Sequence, residues 1–158
     1  MRLSTRARYG VRALCALALM SEDGKPVSLA RLSEREKISK KYLSLIFHEL
    51  RKSGHVEAVR GLNGGFKLAK SPDRITVASV VRTLDGPIAP VGCLLPAGRS
   101  AASRCERKTG CLSRPAWMWL QRQIETALES ITIESLIKDS RDPTSSGGDG
   151  LGGYVFEI

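Results

Sequence analysis

The N-terminal half of the chain alternates between apolar stripes with helical spacing and short polar breaks. This pattern predicts three successive helices, each preceded by a serine that can cap its N-terminus. They are expected at about residues 5–20, 29–37 and 40–53, after Ser4, Ser28 and Ser39. The last two are short helices joined by a tight turn, which is typical of a helix-turn-helix.

A strand pair is predicted directly after these helices. His55–Val59 and Phe66–Ala69 flank a glycine-rich turn, Arg60-Gly61-Leu62-Asn63-Gly64-Gly65. The glycines could instead form a phosphate-cradling loop, but neither a helix N-terminus nor the Lys-Ser/Thr pair of a P-loop follows them. A helix-turn-helix followed by a basic hairpin indicates a winged helix.

The second half predicts helices separated by a long loop. A fourth helix is expected from Thr76 to about Leu84, and the loop Pro87–Arg114 is rich in Pro, Gly, Ser and Cys. After Pro115 an apolar stripe recurs at helical spacing and is wide enough to pack against another helix. A short helix is expected at about Glu134–Lys138.

Charge is concentrated in the predicted winged helix. The 158 residues carry a net charge of +9, but residues 1–82 hold 17 Lys or Arg and 7 Asp or Glu, against 8 and 9 in the remainder. This one-sided excess favours a polyanionic partner, with nucleic acid ahead of a membrane or an acidic protein. The longest apolar run, Ala13–Met20, is far shorter than the about 20 residues of a membrane helix. Without a signal-peptide pattern, a cytoplasmic protein with no membrane partner is expected.

Candidate DNA-contacting residues lie on the third helix and in the glycine-rich turn. A recognition helix reads base edges near its N-terminus, while Lys and Arg neutralise phosphates. Arg60, at the base of the turn, suits a narrow minor groove. The predicted DNA-binding set is Arg2, Ser39, Lys40, Lys41, Tyr42, Ser44, Arg51, Arg60, Gly61 and Gly64.

Three of the four cysteines, Cys93, Cys105 and Cys111, lie in the loop, whereas Cys15 is expected to be a packed core thiol. Zinc sites usually contain closely spaced cysteine pairs, whereas 11 and then 5 residues separate these three. Three thiolates in a basic loop suit an iron–sulfur cluster that has a further ligand. The spacing alone leaves a cluster, a thiol redox switch, zinc or no role open.

Several segments together resemble the Rrf family of winged-helix bacterial transcriptional regulators. They are Met1–Gly10, Ile38–Leu43, Leu50–Gly54, Val59–Phe66, Cys111–Trp117 and Ile131–Leu136. The resemblance implies a homodimer with crossing C-terminal helices on a pseudo-palindromic operator in double-stranded DNA. It also implies that Cys93, Cys105 and Cys111 hold a 2Fe–2S or 4Fe–4S cluster, whose fourth ligand is not identified.

The expected architecture is mainly α, with a C-terminal dimerisation helix. Its parts are a winged helix-turn-helix DNA-binding domain (1–84), a cysteine-containing sensor loop (85–114), the dimerisation helix (115–139) and a flexible tail (140–158). The expected function is a regulator that senses redox state, nitric oxide or iron–sulfur status. It is not expected to be an enzyme, because no paired carboxylates or thiol–histidine pair is evident. The rivals are a cluster-free regulator controlled by thiol oxidation or a protein partner, and an iron–sulfur electron-transfer protein.

Overall fold

The computed structural model describes residues 3–21, 24–61, 63–96 and 110–141. Within these ranges the helices are α1 (Thr5–Met20), α2 (Leu29–Glu36), α3 (Lys40–Lys52), α4 (Val77–Asp85), α5 (Arg114–Ser130) and α6 (Ile133–Arg141). The strands β1 (Val56–Val59) and β2 (Gly65–Leu68) form an antiparallel hairpin, in which Val56 pairs with Leu68 and Val59 with Gly65. The mainly α, winged helix-turn-helix fold predicted from the sequence is confirmed. No helix in the described ranges is long and apolar enough to cross a membrane.

Capping side chains set where the first four helices begin. The hydroxyls of Ser4, Ser28 and Ser39 each accept a backbone N–H three residues further on, and Thr76 does the same for α4. Each cap satisfies a donor that has no partner inside its helix, so the helix starts directly after the capping residue. The Thr132 hydroxyl accepts the N–H of Ser135, so α6 starts at Ile133 rather than Glu134, and the helix also continues beyond the predicted Lys138 to Arg141.

The hairpin is held against the helices by both backbone and ring contacts. Val27, between α1 and α2, exchanges two backbone hydrogen bonds with Phe66, at 2.8 and 2.9 Å. The ring of Phe66 also packs on buried Phe47 of α3, with centroids 4.8 Å apart. The position of the hairpin relative to α3 is therefore determined by the core.

The chain returns to the winged helix after α5. The backbone N–H of Ile133 donates to the carbonyl of Ile75 at 2.9 Å, and that of Val77 donates to Ile131 at 2.8 Å. Ile133 itself is fully buried. The segment between α5 and α6 is therefore joined to the core of the winged helix at the start of α4.

Helix α5 lies at the periphery of that core. None of its residues is fully buried, and Ile124 and Leu128 supply its half-buried contacts with the core. Near its N-terminus Trp117, Met118 and Trp119 are 39%, 38% and 62% exposed. The helix therefore presents apolar surface that the described residues of this chain do not cover. The sequence-derived division at residues 84, 114 and 139 stays a prediction, and residues 142–158 of the predicted tail lie outside the described ranges.

Candidate nucleic-acid interface and thiol site

Helix α3 has one buried face and one exposed, basic face. Its buried side chains are Leu43, Ile46, Phe47 and Leu50. The exposed side chains are Lys40, Lys41, Ser44, Leu45, His48, Arg51 and Lys52. Because the buried stripe orients the helix, the predicted contacts Lys40, Lys41 and Ser44 come together on the outside of its first two turns.

The turn between the strands presents Arg60 to solvent. Gly61 has φ +118°, a conformation that side-chain-bearing residues rarely adopt, and its carbonyl accepts the N–H of Gly64 at 2.9 Å. A Cβ added at Gly64 would lie only 2.4 Å from the carbonyl oxygen of Val59. The two predicted glycines therefore keep the turn tight beside exposed Arg60.

The charges on this surface are available to a polyanion. In the described ranges Lys40, Lys41 and Arg60 form no ion pair with a carboxylate, whereas Lys52 pairs with Glu49 at 3.6 Å. Unpaired cations of this kind can exchange their counterions for phosphates. Arg2, the remaining predicted contact, lies outside the described residues.

A brace that the sequence did not reveal holds the start of α3. Tyr42 is half-buried and packs edge-to-face on Tyr9 of α1, with ring centroids 5.9 Å apart. The guanidinium of Arg12 lies 5.5 Å from the Tyr9 centroid and donates to the carboxylate and the backbone carbonyl of Glu36, at 3.1 and 2.8 Å. The only sequence signal was an arginine within the apolar pattern of the first helix. This brace joins α1, the end of α2 and the first turn of α3.

Two of the three loop cysteines adjoin the start of α5. Cys93 is half-buried in a short 3-10 turn, Gly92–Leu94, and lines a cavity of about 340 Å³ with Arg114, Arg122 and Glu125. Cys111 is also half-buried, and its carbonyl accepts the backbone N–H of Arg114 at 3.2 Å. Cys105 lies outside the described residues.

The chemistry of these thiols fits an iron–sulfur cluster. Thiolates are the usual ligands of such clusters, and Arg114 and Arg122 beside Cys93 provide positive charge for an anionic cluster. In the described ranges no three His, Cys, Asp or Glu side chains form a metal-binding group. The proposed set of three thiols includes Cys105, which lies outside the described residues, so the metal ligands stay a prediction. The DNA contacts stay a prediction as well.

Cys111 and Cys15 differ in acidity. The Ser113 hydroxyl, 3.3 Å from the sulfur of Cys111, lowers the pKa of that thiol, and backbone hydrogen bonds and the charge of Arg114 lower it further. Burial, with a smaller contribution from Glu36, raises the pKa of Cys15 to about 11. Cys15 packs against the core as an inert thiol, in contrast to Cys111.

This difference predicts the order of alkylation. In reduced, cluster-free protein at about pH 8, iodoacetamide should label Cys111 at least roughly 100-fold faster than Cys15, because thiolate is the reacting species. Peptide mass spectrometry of timed samples measures both rates. Ser113→Ala should slow Cys111 alone, and denaturation in urea should make the two rates similar. Equal rates in the folded protein would contradict the assignment of Cys15 to the core.

Comparison with known proteins gives one consistent result. Residues 3–139 match the family model described as Rrf2, iron-dependent transcriptional regulator. The chain is 39% identical over 145 residues to the HTH-type transcriptional regulator IscR of Xenorhabdus nematophila, covering 88% of this chain and 80% of that protein. Among solved structures, IscR of T. potens is similar at TM-score 0.67 and 31% identity, over 95% of this chain and 94% of that one. CymR of B. subtilis, the global cysteine regulator, is similar at TM-score 0.68 and 30% identity, over 87% and 97%.

Proposed function

Because the chain belongs to the Rrf2 family of transcriptional regulators, we propose that it is a cytoplasmic, homodimeric, sequence-specific DNA-binding protein that senses through an iron–sulfur cluster. As a transcriptional regulator it is not an enzyme. The observation that carries the DNA-binding proposal is the basic, outward face of α3 beside a wing turn that exposes Arg60. Both lie in the half of the chain that contains the excess positive charge.

In the proposed complex, α3 enters the major groove with its N-terminal turns foremost. Lys40 and Lys41 neutralise phosphates on either side of the groove, and Ser44 faces base edges. Arg60 enters the adjacent minor groove, where a narrow A-tract attracts a guanidinium. Affinity should then fall steeply with salt, since counterions are released from the DNA on binding.

The proposed dimer pairs α5 with the same helix of a second copy. Exposed Trp117, Met118 and Trp119 supply apolar surface for that contact. A two-fold axis would place two recognition helices on half-sites about 34–36 Å apart, so a pseudo-palindromic operator is expected.

Cys93, Cys105 and Cys111 are the proposed cluster ligands, and the fourth ligand is not identified. When bound, the cluster supplies an iron centre that oxygen, nitric oxide or iron limitation can alter. The chain's own part is to hold it: Cys93 and Cys111 provide thiolates beside the start of α5, and Arg114 and Arg122 offset the negative charge there.

In this proposal, contacts between α5 and the winged helix transmit a change at the cluster to the DNA-binding surface. The Gln121 amide donates to the carbonyl of Ile88 at 2.9 Å, and Arg82 of α4 pairs with Glu129 at 2.7 Å. At the end of α4, the carboxylate of Asp85 accepts the backbone N–H of Ser4 at 2.9 Å and also its hydroxyl, at the start of α1. A shift of α5 would therefore move α4 and α1, and with them the spacing between the two recognition helices of the dimer. A change at the cluster would act by altering the populations of two conformations that differ in this spacing.

The proposal is tested by purifying the protein without oxygen and recording its visible spectrum and iron content. Fluorescent operator DNA is then titrated before and after exposure to air. A coloured, iron-containing protein whose DNA affinity changes on exposure supports the proposal. A colourless, iron-free protein with unchanged binding would leave only the cluster-free regulator. An iron-containing protein with no salt-dependent DNA binding would favour the electron-transfer rival.

Matched variants separate the two parts of this function. Cys105→Ala should lose iron and the response to air while still binding DNA, whereas the control Cys15→Ala should retain both. Arg60→Ala should weaken operator binding about ten-fold and leave the spectrum unchanged. Retention of full iron by Cys105→Ala would contradict the proposed ligand set.

A further inference from the structure

An exposed leucine stands in the middle of the surface proposed to face DNA. Leu45 is 59% exposed, although it belongs to the same helix as the fully buried stripe that ends at Leu50. It follows Lys41 by four residues and precedes His48 by three, so the three side chains share one face. That face points away from the core, and Leu45 interrupts its otherwise polar character.

The surface proposed for dimerisation does not account for this leucine. The other large exposed apolar side chains lie elsewhere in the described ranges: Leu3 near the N-terminus, and Leu112, Trp117, Met118 and Trp119 around the start of α5. A single exposed leucine is ordinary on a protein surface. What distinguishes Leu45 is its position, because it is on the second turn of the helix proposed to lie in the major groove.

The major groove offers an apolar side chain one matching group. Base edges there present hydrogen-bond donors and acceptors, and thymine adds a C5-methyl group. On this surface Ser44 and His48 can form hydrogen bonds with bases, whereas Leu45 can only remove apolar area from water. We infer that Leu45 is a specificity-determining residue that contacts a thymine methyl in each operator half-site. This inference rests on the proposed DNA-binding function and specifies which base the recognition helix prefers.

The test removes the methyl group without changing base pairing. Operators are first selected from random duplexes by the full-length protein, and each thymine of a half-site is then replaced in turn by deoxyuridine. Fluorescence anisotropy at fixed salt gives the affinity for each duplex. One thymine position of the half-site should be sensitive. Its replacement in a single half-site should weaken binding about four-fold, and in both half-sites about fifteen-fold, since one buried methyl contributes about 0.8 kcal/mol.

Variants assign the effect to Leu45. Leu45→Ala should bind the thymine and deoxyuridine duplexes with equal affinity, and its exposed position means that folding is retained. The control Lys41→Ala should weaken binding to both duplexes by the same factor and reduce the salt dependence, because it removes a phosphate contact.

Three results would overturn the inference: selected half-sites without thymine, a scan in which no methyl matters, or a Leu45→Ala protein that keeps the wild-type ratio between the two duplexes. In each of these the salt-dependent binding of duplex DNA remains, so the proposed function stands. Absence of salt-dependent binding to any duplex would remove the proposed function and this inference together.

Discussion

Replacing Phe47 with alanine should lower the free energy of unfolding by about 3–5 kcal/mol, the usual cost of removing a buried phenylalanine ring. Phe47 is fully buried on the inner face of α3, and its ring packs on Phe66 of β2. The cavity would therefore open where the recognition helix meets the wing. Because small domains are stable by only about 5–15 kcal/mol, a large part of the stability would be lost.

Urea denaturation followed by circular dichroism measures this change. The matched control is Leu45→Ala, two residues earlier on the same helix but exposed, which should alter the unfolding free energy by no more than about 0.5 kcal/mol. DNA affinity of the Phe47→Ala protein should also fall at temperatures where it is still folded, because the wing loses its support. Similar unfolding midpoints for the two variants would show that Phe47 does not hold the wing to α3.

Replacing Gly65 with alanine should destabilise the protein by about 3 kcal/mol, at the upper end of the usual cost of overpacking. A Cβ at this position would lie 2.3 Å from the carbonyl oxygen and 2.5 Å from the carbonyl carbon of Val27. These are backbone atoms, which cannot turn aside as a side chain can. The hairpin would have to move away from Val27, and the two backbone hydrogen bonds between Val27 and Phe66 would be lost.

Gly110 provides the control for this substitution, since a Cβ added there meets nothing within 4 Å. Gly110→Ala should leave the unfolding free energy and the DNA affinity of cluster-free protein unchanged. Gly65→Ala should lower both, because Arg60 is at the other end of the same turn. A Gly65→Ala protein with wild-type stability would show that the wing can shift without loss of its contact with Val27.

The elements of the winged helix could be predicted because their signals are local. Ser28 and Ser39 each cap a helix by accepting the N–H of a residue only three positions later. The buried stripe of α3 likewise repeats with the helical period. The glycines of the turn, Gly61, Gly64 and Gly65, are also a local signal, because they allow backbone conformations and close approaches that other residues do not. The predicted contacts Lys40, Lys41 and Ser44 follow from these elements, since burial of one face of α3 leaves the opposite face outward.

The sequence by itself therefore determined the helices, the hairpin, the basic half and the separation of Cys15 from the loop cysteines. The tertiary structure alone decided how they are joined: Arg12 with Glu36, Val27 with Phe66, and Ser4 with Asp85. Ser4 and Asp85 are 81 residues apart, and nothing local indicates such a partner. A contact of this kind forms only when the whole core brings two segments together. The apolar face of the first helix indicated that Cys15 is packed, but the contribution of Glu36 to its raised pKa, about 11, depends on a contact between segments that only the fold brings together.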